Sequence, residues 1–239
     1  MMKPNEQAVH CRDIDIAYSE CGEGAPLILL HGNGEDRHVF DGLLSPLTQR
    51  FHVYALDTRG HGQTSRGIAP FSINTFADDL LCFMDAIGIE RAQIVGFSDG
   101  GNIAMTFALS HNNRLSSLVL IGANCFPAGT TASALALLKI GEGVLRITAL
   151  FSAQAREKLP FLRLMTNEPR IAFHHLHRIE VPCLVLVGQR DMIRPEHSRA
   201  MADALPQGRL CVLPGRDHFA VTKAPREVTA ALIEFWDSL

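Results

Sequence analysis

The sequence predicts an α/β protein folded as one domain around a mainly parallel sheet, with helices on both of its faces. Short apolar strand-like runs alternate with helical patterns along most of the chain, the signature of a sheet crossed and covered by helices. A composition of 239 residues, 47% hydrophobic and 20% charged, is enough to bury one large core with room for an insertion. The run before Gly96-Phe97-Ser98-Asp99-Gly100-Gly101 is strand-like and the run after it is helix-like, so this segment reads as a strand-turn-helix corner.

Eight strands are expected, near residues 9–11, 14–20, 27–30, 52–56, 93–95, 118–121, 183–187 and 210–213. Helices lie between them. The run 73–87 places Phe76, Leu80, Leu81, Met84 and Ile87 at one-faced helical spacing, suited to packing on a sheet, and 102–111 continues the corner as a helix. From about residue 123 to 178 the alternation stops: apolar residues recur at helical spacing, at Leu135, Leu138, Ile140, Leu145 and Leu150, and no strand is expected. No repeat, low-complexity segment or flexible linker interrupts the chain.

The corner at Ser98 carries chemistry. A strand that turns sharply into a helix holds its central residue in strained backbone, and small neighbours let the adjoining chain pass close, so the serine stands exposed as a nucleophile. A serine needs a base to take its proton and a carboxylate to orient that base. Both follow in the expected order. Asp191 ends Gly188-Gln189-Arg190-Asp191 just past a strand, and His218 sits in Pro214-Gly215-Arg216-Asp217-His218-Phe219 before the last helix. Either alone would be an ordinary loop residue; three roles in order, each at the carboxyl end of an expected strand, read as a triad. The strand at 27–30 runs into His31-Gly32-Asn33-Gly34, whose glycines let backbone N–H groups face a pocket; the nucleophile-corner motif assigns the second oxyanion donor to this loop, so the two donors are expected at the backbone N–H groups of Asn33 and Asp99. His31 and His61 read as loop braces.

These motifs resemble the α/β-hydrolase family over essentially the full length: His31-Gly32, Asp57-x-Arg59-Gly60-His61-Gly62, Gly96-x-Ser98-x-Gly100, Gly188-x-x-Asp191 and the His218 loop occur in the family's order. The resemblance implies the α/β-hydrolase fold, a mostly parallel eight-stranded sheet flanked by helices, with residues 1–122 and 179–239 as core and 123–178 as a small helical cap insertion. Ser98-Asp99-Gly100-Gly101 and Ile121-Gly122-Ala123-Asn124 are similar to the biphenyl-hydrolase-like or valacyclovir-hydrolase branch, which cleaves small esters including amino-acid esters. The reading is a serine hydrolase of small carboxylic esters acting through an acyl-enzyme, with no metal or cofactor. In it, Phe126, Leu138, Leu145 and Phe151 of the cap shape an apolar pocket. Asp99 has a second role: a carboxylate about 6 Å from a developing oxyanion repels it by roughly 3 kcal/mol at an effective dielectric near 20, a cost that a substrate ammonium would offset. Lactonase, thioesterase, C–C hydrolase and cofactor-free perhydrolase activities share this triad, and a ligand-sensing member of the fold that does not turn over is the alternative of a different class.

A formal net charge of −3 offers no basic face for nucleic acid. No run of about 18 apolar residues suggests a membrane span, and the start, Met1 to Glu6, lacks the apolar run of a signal peptide. Six scattered cysteines without a C-x-x-C spacing read as reduced core residues of a cytoplasmic protein. His174-His175-Leu176-His177 lacks the further ligands a metal needs and reads as a solvated helix end. The expected partner is a small-molecule ester, and the expected state a monomer or small homo-oligomer.

Overall fold

The computed structural model describes residues 4–239; residues 1–3, where the start of the chain was read, lie outside the described residues. All eight expected strands form: β1 Asn5–Cys11, β2 Ile14–Cys21, β3 Ala25–Leu30, β4 Phe51–Leu56, β5 Ala92–Phe97, β6 Leu115–Ile121, β7 Cys183–Arg190 and β8 Gly208–Asp217. They make one sheet in the order β1-β2-β4-β3-β5-β6-β7-β8. The pairs β1·β2 and β2·β4 are antiparallel and every other pair is parallel. Between them run α1 Asp41–Leu47, α2 Ile73–Ala86, α3 Asp99–Ser110, α4 Ala132–Thr148, α5 Ala153–Asn167 and α6 Pro195–Ala204, and after β8 come α7 Ala220–Lys223 and α8 Pro225–Asp237.

Period-2 alternation splits the parallel strands between two cores. Ile28, Leu30, Ile94, Leu118, Leu120 and Val185 face α2 and α3, while Leu27, Leu29, Val95, Phe97, Val119, Ile121 and Leu186 face α1 and α8. Helix α2 begins where Ser72 accepts the Thr75 N–H at 3.2 Å and buries Ile73, Phe76, Ala77, Leu80, Phe83 and Met84. Strand β1 is longer than its apolar run suggests. Its residues Asn5 to Ala8 are exposed, and pairing to β2, from Asn5↔Glu20 to Cys11↔Ile14, holds them in place of burial.

Register aligns the carboxyl ends: Leu30 lies beside Leu56 and Gly96, and Phe97 beside Ile121. The chain leaves β4 on one side of β3 and enters β5 on the other, so the crevice of the open sheet falls at the ends of β3 and β5. Between β6 and β7, α4 and α5 pack on each other as a helical hairpin, each started by a side-chain cap, Thr131 to Ala134 N–H and Ser152 to Ala155 N–H. Among the described residues no helix is long and apolar enough to cross a membrane. Cys11, Cys125 and Cys183 are buried thiols, each pushed up to about 12 by burial.

Candidate active site

Ser98 sits between β5 and α3 at φ 52° and ψ −119°, a left-handed conformation that costs a non-glycine residue about 1–3 kcal/mol. Close packing holds it there. A Cβ on Gly96 would lie 2.3 Å from Gly100 O, and one on Gly100 would lie 2.0 Å from Leu30 O, so neither position admits a side chain. The Ser98 N–H donates to Ile121 O at 2.8 Å, and Ser98 O accepts from the N–H groups of Gly101 and Asn102 at 2.9 and 3.1 Å.

The loops after β7 and β8 bring the other two residues to it. His218 Nε2 lies 3.1 Å from Ser98 Oγ, and His218 Nδ1 lies 2.8 Å from Asp191 Oδ1. Asp191 is fixed by the N–H of Ile193 at 3.0 Å on Oδ1 and the N–H of Gly188 at 3.4 Å on Oδ2. An acceptor on Nδ1 favours the tautomer that leaves Nε2 free to accept from the serine hydroxyl. His218 is buried, its ring 5.2 Å from that of Phe97.

The loop after β3 faces the same point. Among the described residues, the backbone N–H groups of Asn33 and Asp99 take no backbone acceptor. The Asp99 side chain is buried and turned inward: Oδ2 accepts from Asn33 Nδ2 at 2.8 Å and Oδ1 from Asn102 Nδ2 at 3.1 Å. Burial, against those two hydrogen bonds, raises its pKa above the usual carboxylate range. Glu35, absent from the residues expected from sequence, is a second carboxylate here. It accepts the Gly32 N–H at 3.1 Å, stands where a Cβ on Gly32 would meet both it and Ser98 Cβ, and is also pushed up by burial. Its position directly after the expected oxyanion motif was the available signal.

His31 takes the bracing place: Nδ1 donates to Gly32 O at 2.7 Å and Nε2 accepts the Thr58 N–H at 3.0 Å, and burial lowers its pKa. His61 lies behind it, its ring 5.0 Å from that of His31, with burial holding its pKa down at about 4. Below them, buried Asp57 accepts the N–H groups of Arg37 and Gln63, each at 2.8 Å, and pairs with the Arg37 guanidinium. Arg59, with no exposed side-chain surface, grips Asp79 twice at 2.7 Å and Asp13 at 2.7 and 3.0 Å.

The expected pocket residues fare unequally. Phe151 is 86% exposed at the turn after α4 and is not brought to Ser98. Phe126 packs its ring on Phe173 and His197, at 5.4 and 4.7 Å, while Leu138 and Leu145 are half-buried on α4. The residue of the α4–α5 hairpin that does meet the site is Phe161 on α5. Its carbonyl accepts from Asn33 Nδ2 at 2.9 Å, and its ring lies 4.7 Å from His61 and 4.8 Å from Phe71. Among the described residues no three His, Cys, Asp or Glu side chains converge as metal ligands would; His174, His175 and His177 lie on the short 3₁₀ helix Phe173–Arg178.

Comparison with known proteins agrees with this geometry. A family profile described as alpha/beta hydrolase fold matches residues 25–146. A Caulobacter sp. K31 protein named provisionally as the carbamate hydrolase RutD is 29% identical, covering 87% of this chain and 89% of its own. The pimeloyl-[acyl-carrier protein] methyl ester esterase of Edwardsiella ictaluri is 28% identical over 93% of this chain and 97% of its own. The solved structure of a thermophilic esterase from Thermogutta terrifontis superposes with a TM-score of 0.81 at 26% identity, covering 97% of this chain and 98% of that one. With its sheet order, its corner at Ser98 and a profile match over half its length, the chain belongs to the α/β-hydrolase fold family.

Proposed function

We propose that this hydrolase cleaves small carboxylic esters with Ser98 as nucleophile, His218 as base and Asp191 as its orienting carboxylate. The observation that carries the reading is the continuous chain from Ser98 Oγ through His218 to Asp191, at 3.1 and 2.8 Å, on a strained corner. Ser98 Oγ attacks the ester carbonyl while its proton passes to His218 Nε2. The negative charge that forms on the carbonyl oxygen is met by the backbone N–H groups of Asn33 and Asp99. The tetrahedral intermediate collapses to an acyl-enzyme as His218 returns the proton to the departing alcohol; a water, deprotonated by the same nitrogen, then releases the acid. Residues 123–178 form the cap and the remainder the catalytic core, with Leu138, Leu145 and Phe126 lining the acyl side.

Asp99 supports the narrower assignment to amino-acid esters. It is a buried carboxylate next to the nucleophile whose hydrogen-bond partners are two neutral amides, so a substrate ammonium would supply the missing positive charge. The test is a panel of purified substrates: p-nitrophenyl acyl esters, thioesters, lactones, carbamates, and an amino-acid ester beside its N-acetylated form. Multiple turnovers on the acyl esters are expected. A single saturable event on every substrate assigns a sensor, and turnover confined to thioesters, lactones or carbamates removes the ester assignment. Asp99→Asn is expected to lower kcat/KM at least tenfold, about 1.4 kcal/mol, on the charged amino-acid ester alone; equal loss on both forms returns Asp99 to a helix-end role.

A further inference from the structure

Helix α4 is 17 residues long and buries none of them. Its apolar residues are not scattered. Leu137, Ile140, Val144 and Ile147 follow one another at spacings of three, four and three, and are 71, 65, 55 and 65% exposed; Leu150 and Phe151 carry the row past the helix end at 72 and 86%. That spacing is the seam of a helix that packs lengthwise on another helix. The hairpin itself does not use it. The neighbouring row, Leu138, Glu142 and Leu145, is the one that meets α5, where Glu142 accepts from the Thr166 hydroxyl at 2.8 Å and lies 3.5 Å from the Arg163 guanidinium.

Gly143 is a second, independent sign. Glycine within a helix lowers its stability relative to alanine, and within this chain nothing calls for one: a Cβ there would meet no atom within 4 Å. It stands beside Val144 at the middle of the seam, where a missing side chain lets a second backbone approach closely. The immediate flanks, Ala136, Gly141, Gly143 and Thr148, are small and uncharged, while Lys139 and Arg146 stand off the seam. Two copies of the helix therefore meet without opposing like charges.

Area points to the same occupant. With ~150–250 Å² for an aromatic side chain and less for an aliphatic one, six residues that are 55 to 86% exposed present on the order of 700 Å². That exceeds the ~300–600 Å² of the largest patch on a typical monomer and approaches the ~800 Å² that each partner contributes to a standard interface.

We propose that α4 is a homodimer interface. Two copies of the chain pack α4 against α4 in antiparallel fashion about a two-fold axis near Gly143, so that Ile140 of each faces Ile147 of the other. The arrangement is independent of which ester the enzyme cleaves.

The experiment is sedimentation velocity of the full chain from about 1 to 100 µM, with Ile140→Lys/Ile147→Lys and Gly143→Cys beside it. Wild type is expected to dimerise with rising concentration, and the double variant to weaken the dimer at least tenfold with an unchanged circular dichroism spectrum. Gly143→Cys, oxidised with glutathione, is expected to give a covalent dimer that dithiothreitol reverses, whereas Glu157→Cys on α5 does not. That crosslink decides the matter even if the double variant fails to fold. A wild type that stays monomeric throughout overturns the proposal, as does a dimer indifferent to Ile140→Lys/Ile147→Lys. Monomeric binding to phosphatidylglycerol vesicles through the same residues also overturns it, by assigning the seam to lipid.

Discussion

Two regions contact the loop after β3, at His31 and at Asn33, and are held in opposite ways. The loop after β4 is anchored by ions: Arg59 is fully enclosed between Asp79 and Asp13 and holds the Asp13 carboxyl below the usual carboxylate range, and Asp57 is saturated by Arg37 and Gln63. The α4–α5 hairpin reaches the same site through Phe161, by one hydrogen bond from Asn33 and one ring contact with His61, and its outer helix buries nothing. The difference is one of support. The loop after β3, which carries Asn33, is braced at His31 by the Thr58 N–H of the saturated side, and the hairpin that meets it at Asn33 is the less firmly held of the two.

The largest expected effect comes from removing the proposed chemistry that both regions surround. Ser98→Ala and His218→Ala are each expected to lower kcat by several orders of magnitude, and the double variant little further, because the residues act as a unit. A fluorophosphonate probe is expected to label wild type at Ser98 alone. Near-normal turnover in Ser98→Ala, or labelling elsewhere, removes the assignment.

Stability gives the next largest contrast. Arg59→Met leaves buried Asp79 with only the Arg12 guanidinium, 3.8 Å away, and is expected to cost about 3–5 kcal/mol in urea unfolding. Leu138→Ala, on the half-buried face of α4, is expected to cost about 1 kcal/mol or less and to shift KM more than kcat. Equal losses from the two variants would show the hairpin to be as firmly built as the core.

A smaller effect concerns Glu35. Its carboxyl is raised by burial, so the folded state holds the proton more tightly than the unfolded one, and the penalty grows as pH rises from the ordinary glutamate value of 4.5 through the raised folded one. Glu35→Gln keeps an acceptor for the Gly32 N–H without the charge. It is expected to melt above wild type at pH 7, with the difference closing below about pH 4.5. A difference that widens on acidification would mean the carboxylate stabilises the loop.

Sequence determined what local rules determine. Strand runs of alternating or fully apolar character placed all eight strands, because a strand in a covered parallel sheet has little choice of face, and the order of Ser98, Asp191 and His218 followed from their places at strand ends. Even there the ends slipped. Exposed Asn5 to Ala8 extend β1 because pairing with β2, not burial, defines it. Tertiary structure decided what depends on partners distant in sequence. The apolar residues of α4 occupy more than one side, so spacing could not say which row meets α5, and Phe151 was expected at a pocket when it stands in the open. Phe161 reaches Asn33 across 128 positions, and Glu35 is half-buried where it turns back on the Gly32 N–H. Periodicity records that a residue wants burial. Only packing names its neighbour.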